Sequence, residues 1–293
     1  MWKFALNPIQ WFATPDGWVD PSVAPPLRQR LGTIAEHGFT AVQTELPPPE
    51  EEGAYFSLLA EYGIRPGPGY LSVAWSPEQG VNHKLVDNAR RVAAAHARLG
   101  VDVVFVSSGM SKTATRVQLA AVGHEADQRR LASIADLMGA ASAAMRAEGV
   151  TAALHPHVGT WIETEAETRW VLDNTSAGDL KFGPDLGHLA WAGADYLQLL
   201  TEYKARIPAV HLKDFNADIA AASRRDPAPY QKAILAGLWR EPGYGDCDFD
   251  AAFGILGEAP DRWAVIEVDF PTTSTPGESI ALCGSWLRRT FPQ

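Results

Sequence analysis

Thiols are nearly absent from this chain. Its two cysteines, Cys247 and Cys283, are far apart and no CxxC occurs. That usage offers neither a disulfide framework nor a thiolate zinc site, and it is what a reducing compartment favours. Long apolar runs are missing as well. None approaches the ~18 residues a membrane-spanning helix needs. The opening stretch MWKFALNPIQWF is broken by Asn7, Pro8 and Gln10 and lacks a signal-peptide core. The expectation is a cytoplasmic protein with no membrane partner. Positive charge is also scarce: 25 Lys and Arg face 35 Asp and Glu, for a net charge of −10. Such a surface repels phosphate backbones, so no nucleic acid is expected as partner. No G-x-G-x-x-G follows the first apolar run, which speaks against a doubly wound dinucleotide fold.

What is present is an alternation of short apolar runs and longer amphipathic segments. Strands are expected at Phe4–Ile9, Phe39–Glu45, Ile64–Leu71, Val101–Ser108, Thr151–His155, Leu180–Asp185, Ala209–Leu212 and Trp263–Val268. Helices are expected at Ser22–Glu36, Glu50–Tyr62, Pro77–Leu99, His124–Glu148, Glu163–Asp173, Ala194–Ala205, Phe249–Leu256 and Glu278–Arg289. Glycines at 38, 63, 100 and 149 punctuate the helix-to-strand passages, as left-handed helix ends require. Strands separated by helices run parallel. Eight such units in 293 residues fit an α/β fold, a (β/α)8 barrel in a single domain over 1–293. Residues 215–245 form one long excursion after the seventh strand, expected to make a lid or an extra helix over the barrel mouth.

In such a barrel the chemistry gathers at the C-terminal strand ends. The fifth run ends LHPHVGT, giving His155 and His157, which point to one side if the strand continues through them. The sixth ends GPDLGH with Asp185 and His188, the seventh AVHLKD with His211 and Lys213, and the eighth AVIEVD with Glu267 and Asp269. Each has a bland explanation by itself: a turn cap, a satisfied core histidine, a buried ion pair. Converging from four neighbouring strands, they would be costly to bury without a metal or substrate. Mixed nitrogen and oxygen donors suit a divalent metal ion, Mn²⁺ or Co²⁺ foremost, with Zn²⁺, Fe²⁺ or Mg²⁺ as alternatives.

HPHVGT, PDLGHLAWAG, HLKD and IEVD together resemble the sugar phosphate isomerase/epimerase superfamily of xylose isomerase-like TIM barrels, and most closely its inosose dehydratase branch. The resemblance is strongest over residues 150–215. It implies a metal held by His155, Asp185, His211 and Glu267, a small carbohydrate or polyol substrate, and a homo-oligomer. Where many members carry a strand-five glutamate, this chain has His155, so a two-glutamate proton shuttle lacks its second base.

A function follows for these groups. Loss of water beta to a ketone needs a Lewis acid, a base for the α-proton and an acid for the leaving oxygen. His157 or Glu267 is the candidate base, His188 or His157 the acid, and Lys213 the cation beside the developing oxyanion. Lys213 paired with Asp214 or another carboxylate is the competing reading. Glu45, ending the second strand, is a candidate for a sugar hydroxyl, against a rim carboxylate held by an arginine. Trp161 is one of several tryptophans placed to stack on a sugar face. The leading expectation is a metal-dependent lyase acting on a keto-polyol such as an inosose or a 3-keto sugar. The alternatives are a metal-dependent sugar (phosphate) isomerase or epimerase, and a sugar-binding barrel without turnover.

Overall fold

A computed structural model describes residues 2–76 and 81–292. Eight parallel strands make the barrel: β1 Lys3–Leu6, β2 Ala41–Gln43, β3 in two pieces Arg65–Gly67 and Gly69–Ser72, β4 Val103–Ser107, β5 Thr151–Leu154, β6 Leu180–Phe182, β7 Ala209–Leu212 and β8 Trp263–Ile266. The pairings run β3–β2–β1–β8–β7 on one side and β3–β4–β5–β6 on the other. Pro68 divides β3, so its first piece pairs with β2 and its second with β4. Closure between β6 and β7 falls at the strand ends, where Asp185 bridges His211 and the His211 amide donates to the Pro184 carbonyl at 2.8 Å.

Alternation along the strands divides the side chains into two layers. Outward residues such as Val104, Val106, Leu154, Leu212 and Ile266 join the large core under the helices. Inward residues are Ala5, Ala41, Val103, Phe105, Ala153, Ala209, Trp263 and Val265. Small inward residues leave room for the Phe105 ring. At Gly183 a Cβ would come within 2.7 Å of that ring, so glycine is required there.

Several element ends differ from expectation for identifiable reasons. β1 stops at Leu6 because Pro8 opens a 3-10 helix, Pro8–Phe12. The first barrel helix is only Leu27–Glu36, since Pro25 and Pro26 precede it, with a separate 3-10 turn at Pro21–Val23. The helix expected from Pro77 runs His83–Arg98, capped by Asn82; its expected start at 77–80 lies outside the described residues. The helix expected from His124 begins at Gln128, where the Asp127 carboxylate accepts the Arg130 amide. Gly38, Gly63, Gly100 and Gly149 all have φ between 65° and 88°.

The 215–245 excursion holds two helices, Ala217–Arg225 and Tyr230–Leu235, and returns through a short strand, Trp239–Arg240, antiparallel to Asp214–Phe215. Asp214 fastens both ends of it. Its carboxylate accepts the backbone amides of Phe215, Gly243, Gly245 and Cys247 at 2.8–3.0 Å. Both cysteines are free thiols. Among the described residues no helix is long and apolar enough to cross a membrane.

Candidate active site

The polar groups at the barrel mouth extend the inward layer by two residues. Ala5 is followed by Asn7, Ala153 by His155, Gly183 by Asp185, Ala209 by His211 and Val265 by Glu267. Lys213 and Asp269 come one further step along. His155, Asp185, His211 and Lys213 are each at most 2% exposed, and Glu267 is 4% exposed. The edge of the Phe105 ring lies beneath His211 and His155, with centroids 4.1 and 5.5 Å away.

One oxygen, Asp185 Oδ2, gathers the centre. It lies 3.7 Å from His211 Nδ1, 3.9 Å from His155 Nε2 and 3.2 Å from Lys213 Nζ, yet accepts no well-formed hydrogen bond. Its partner Oδ1 accepts the His188 amide at 2.9 Å and caps the helix Leu186–Trp191. Asp185 therefore does cap a turn, and one oxygen remains for the site. His211 Nδ1 is 2.9 Å from Glu267 Oε2, which also accepts from Asn7 Nδ2 at 2.6 Å. Ligands bound at about 2.1 Å lie some 3 Å apart when adjacent and about 4.2 Å when opposite. The Asp185–His155 and Asp185–His211 separations fall in that range, and each of the three buried residues offers one donor atom within 4.8 Å of the others. The residues present fit a divalent cation.

A second group sits beside the first: His157, His188 and Asp269 also bring one donor atom each within 4.8 Å of the others. The His157 and His188 rings are 3.6 Å apart. His157 Nδ1 lies 2.8 Å from the Val158 carbonyl, which can only accept, so Nδ1 carries the proton and Nε2 the lone pair. The Val158 amide donates to His188 Nδ1, which leaves the His188 proton on Nε2, 3.9 Å from Asp269.

Lys213 lies between the two groups. Its ammonium is 2.6 Å from Glu267, 3.0 Å from Asp269 and 3.2 Å from Asp185, so it pairs with these carboxylates and not with Asp214. Burial alone would strip its proton, but three carboxylates outweigh burial and hold its pKa well above normal. The same contest leaves Glu267 well below the usual carboxylate range and Asp185 lowered to about 2. Burial pushes Asp269 up to about 7. Burial depresses His155 and His188 strongly and lowers His157 to about 4, so all three are neutral, as ligands and bases must be. His211 goes the other way: Glu267 and Asp185 overcome burial and raise it to about 9. A cation bound there would displace that proton.

Part of this cluster opens onto a cavity of about 420 Å³. His155, His157, Glu267, Asp269 and Glu45 line it, whereas Asp185, His188, His211 and Lys213 stand behind the wall. Glu45 has both of its anticipated features: it reaches the cavity, and its carboxylate is held by Arg30, with Nη2 to Oε2 at 3.0 Å. Trp161 is placed elsewhere. Its ring meets Trp75 edge-on and takes the guanidinium groups of Arg116 and Arg130 at 5.2 and 4.2 Å. Two residues not expected at the site from the sequence, Asn7 and Tyr230, join it, and Asp269, expected at its strand end, gains a partner. Asn7 orients Glu267, Asp269 pairs with Lys213, and Tyr230 brings the excursion to within 6.2 Å of the His157 ring. Asn7 and Asp269 follow the same two-residue alternation as the others; Tyr230 carries no local signal.

Comparison with known proteins gives the chain its family. A model of the xylose isomerase-like TIM barrels matches residues 31–289, and the chain belongs to that family. It is 28% identical over 282 residues to the rhizopine catabolism protein MocC of Rhizobium meliloti, covering 91% of this chain and 81% of that one. It is 31% identical to an inosose dehydratase of Geobacillus thermodenitrificans over 145 residues, about half (49%) of either chain. Among solved structures, the IolI protein with a bound zinc atom has the same fold, with a TM-score of 0.68 at 15% identity and coverage of 99% of this chain and 100% of that one.

Proposed function

We propose that this xylose isomerase-like barrel is a metal-dependent carbon–oxygen lyase that eliminates beta to the carbonyl of a keto-polyol. The observation that carries the reading is the convergence of His155, Asp185 and His211 on one space, with the His157–His188–Asp269 group directly beside it. The kinship with inosose dehydratases supports the same class.

A divalent cation held by His155, Asp185 and His211, with Glu267 as fourth ligand, would polarise the substrate carbonyl and stabilise enolate charge. His157 presents the Nε2 lone pair and takes the proton from the carbon next to the carbonyl. Glu267 is a poor base for this step, since Lys213 and His211 hold it far below the usual range. The His188–Asp269 pair returns a proton to the leaving oxygen, with Asp269 at the cavity wall and His188 behind it. Lys213 keeps Asp185 and Glu267 ionised and adds positive charge where the oxyanion develops. Glu45, fixed by Arg30, is positioned to accept from a substrate hydroxyl.

The test is incubation of the metal-loaded protein with inososes and 3-keto sugars in deuterated water, with product mass measured. A product lighter by one water or alcohol, with an enone absorbance, is expected. An isomer of unchanged mass carrying deuterium would replace the lyase by an isomerase or epimerase. Neither product nor exchange on any keto-polyol would leave a binding barrel.

A further inference from the structure

The cavity floor is polar, but its remaining walls are not what a bare polyol needs. Trp18, Val19, Met110, Tyr230, Ile234 and Phe270 all line it. Val19 and Met110 are each 39% exposed, so uncovered apolar surface lies inside the site. Trp18 stacks on Tyr230 at 5.9 Å and 6°, and Tyr230 is nearly parallel to His157 at 6.2 Å and 10°. A file of near-parallel rings thus runs along the cavity from Trp18 to the imidazole assigned above as the base.

Charge points the same way. No Lys or Arg is among the described lining residues, while Glu45, Glu267 and Asp269 are. Arg30 is committed to Glu45, and Lys213 is sealed behind the wall at 0% exposure. Lys112 lies 4.8 Å from the Trp18 ring and does not line the cavity. Away from the metal space, a phosphate or carboxylate on the substrate would meet largely apolar walls and like charge, with no Lys or Arg among the described lining residues to pair with.

We infer that the substrate is an uncharged keto-sugar bearing an apolar substituent, as in a keto-glycoside with an aromatic or alkyl aglycone packed against Trp18, Tyr230 and Met110. The inference rests on the lyase reading for what happens next. His157 takes the proton from the carbon between ketone and glycosidic carbon. That electron pair forms the new carbon–carbon double bond as the glycosidic carbon–oxygen bond breaks. The aglycone oxygen takes a proton from the His188–Asp269 pair, giving a sugar enone and a free alcohol or phenol, with no oxidant or reductant consumed.

Binding and turnover separate the two ideas. Phenyl 3-keto-glucoside, its methyl counterpart and 3-keto-glucose 6-phosphate are titrated calorimetrically into the metal-loaded protein. The phenyl compound is expected to bind about tenfold tighter than the methyl one, the gain from roughly 60 Å² of extra apolar burial. The phosphate is expected to bind at least about tenfold more weakly than the methyl compound. A Val19→Ser/Met110→Ser double variant, altered only at half-exposed positions, is expected to shrink the phenyl-to-methyl ratio to about threefold or less. Equal binding of phenyl and methyl glycosides, or preferred binding of the phosphate, overturns the inference. A phenyl preference without phenol release upholds the substrate class and removes the lyase reading.

Discussion

Lys213 Nζ and Glu267 Oε1 lie 2.6 Å apart in an environment closed to solvent, and the same ammonium also touches Asp185 and Asp269. One side-chain cation therefore neutralises three carboxylates from two strand ends, Asp185 after β6 and Glu267 and Asp269 after β8. Lys213→Met leaves those carboxylates buried against one another. We expect the metal-free protein to lose about 3–5 kcal/mol in urea unfolding at pH 8. Turnover by the loaded protein is expected to fall about a hundredfold or more. Unchanged stability and rate would show that the ammonium has neither role.

Asp185 divides its oxygens between a helix cap and the metal space, and one substitution separates the two. Asp185→Asn keeps an oxygen to accept the His188 amide but removes the charge. Metal content of the purified variant, read by elemental analysis, is expected to drop below about a tenth of the parent's. Its thermal midpoint is expected to move by no more than about 4 °C, as a loss near 1 kcal/mol produces. Asp185→Ala sacrifices the cap as well and should melt lower by a further increment of about 1 kcal/mol. Full metal occupancy in the asparagine variant would remove Asp185 from the ligand set.

Asp214 pairs with no Lys or Arg among the described residues; it holds four backbone amides. Asp214→Ala strips the acceptor from all of them. A loss of about 3 kcal/mol or more is expected, together with protease cleavage appearing within 215–247. A variant resistant to cleavage and as stable as the parent would contradict the assignment.

His96 reports on pH away from the active site. Its ring is buried, with Nδ1 against the Val92 carbonyl, and burial lowers its pKa from 6.5. Below about pH 6.5 the unfolded chain binds a proton there that the folded chain refuses, so stability falls as pH drops through that value. His96→Gln is expected to reduce the pH slope of unfolding free energy between pH 6 and 5 by up to about 1.4 kcal/mol per unit. Identical slopes for variant and parent would mean that His96 protonates equally in both states.

Much of this architecture was legible in the order of residues, because a barrel strand presents every second side chain inward. Small or apolar inward residues followed two positions later by His155, Asp185, His211 or Glu267 announce a polar mouth on a packed barrel. The ends of strands and helices were less legible where proline governs: Pro8 ends β1 early and Pro68 divides β3. Contacts set by distant segments left no local trace. Tyr230 reaches His157 from the excursion, and Asp214 finds its amides 29 to 33 residues further on. Trp161 stands in sequence beside the site loop, yet Arg116 and Arg130 claim its ring.

The anchoring of the excursion at Asp214 has an evolutionary consequence. Because one side chain clasps both the departure and the return of this segment, its exposed stretches can change length or composition without freeing either end, while buried Trp239 stays packed on Lys213 and His188. Tyr230 and Ile234 ride on that segment, whereas the imidazoles and carboxylates belong to the frame. Descendants of this scaffold can thus exchange the shape of the entrance while inheriting the reactive floor intact.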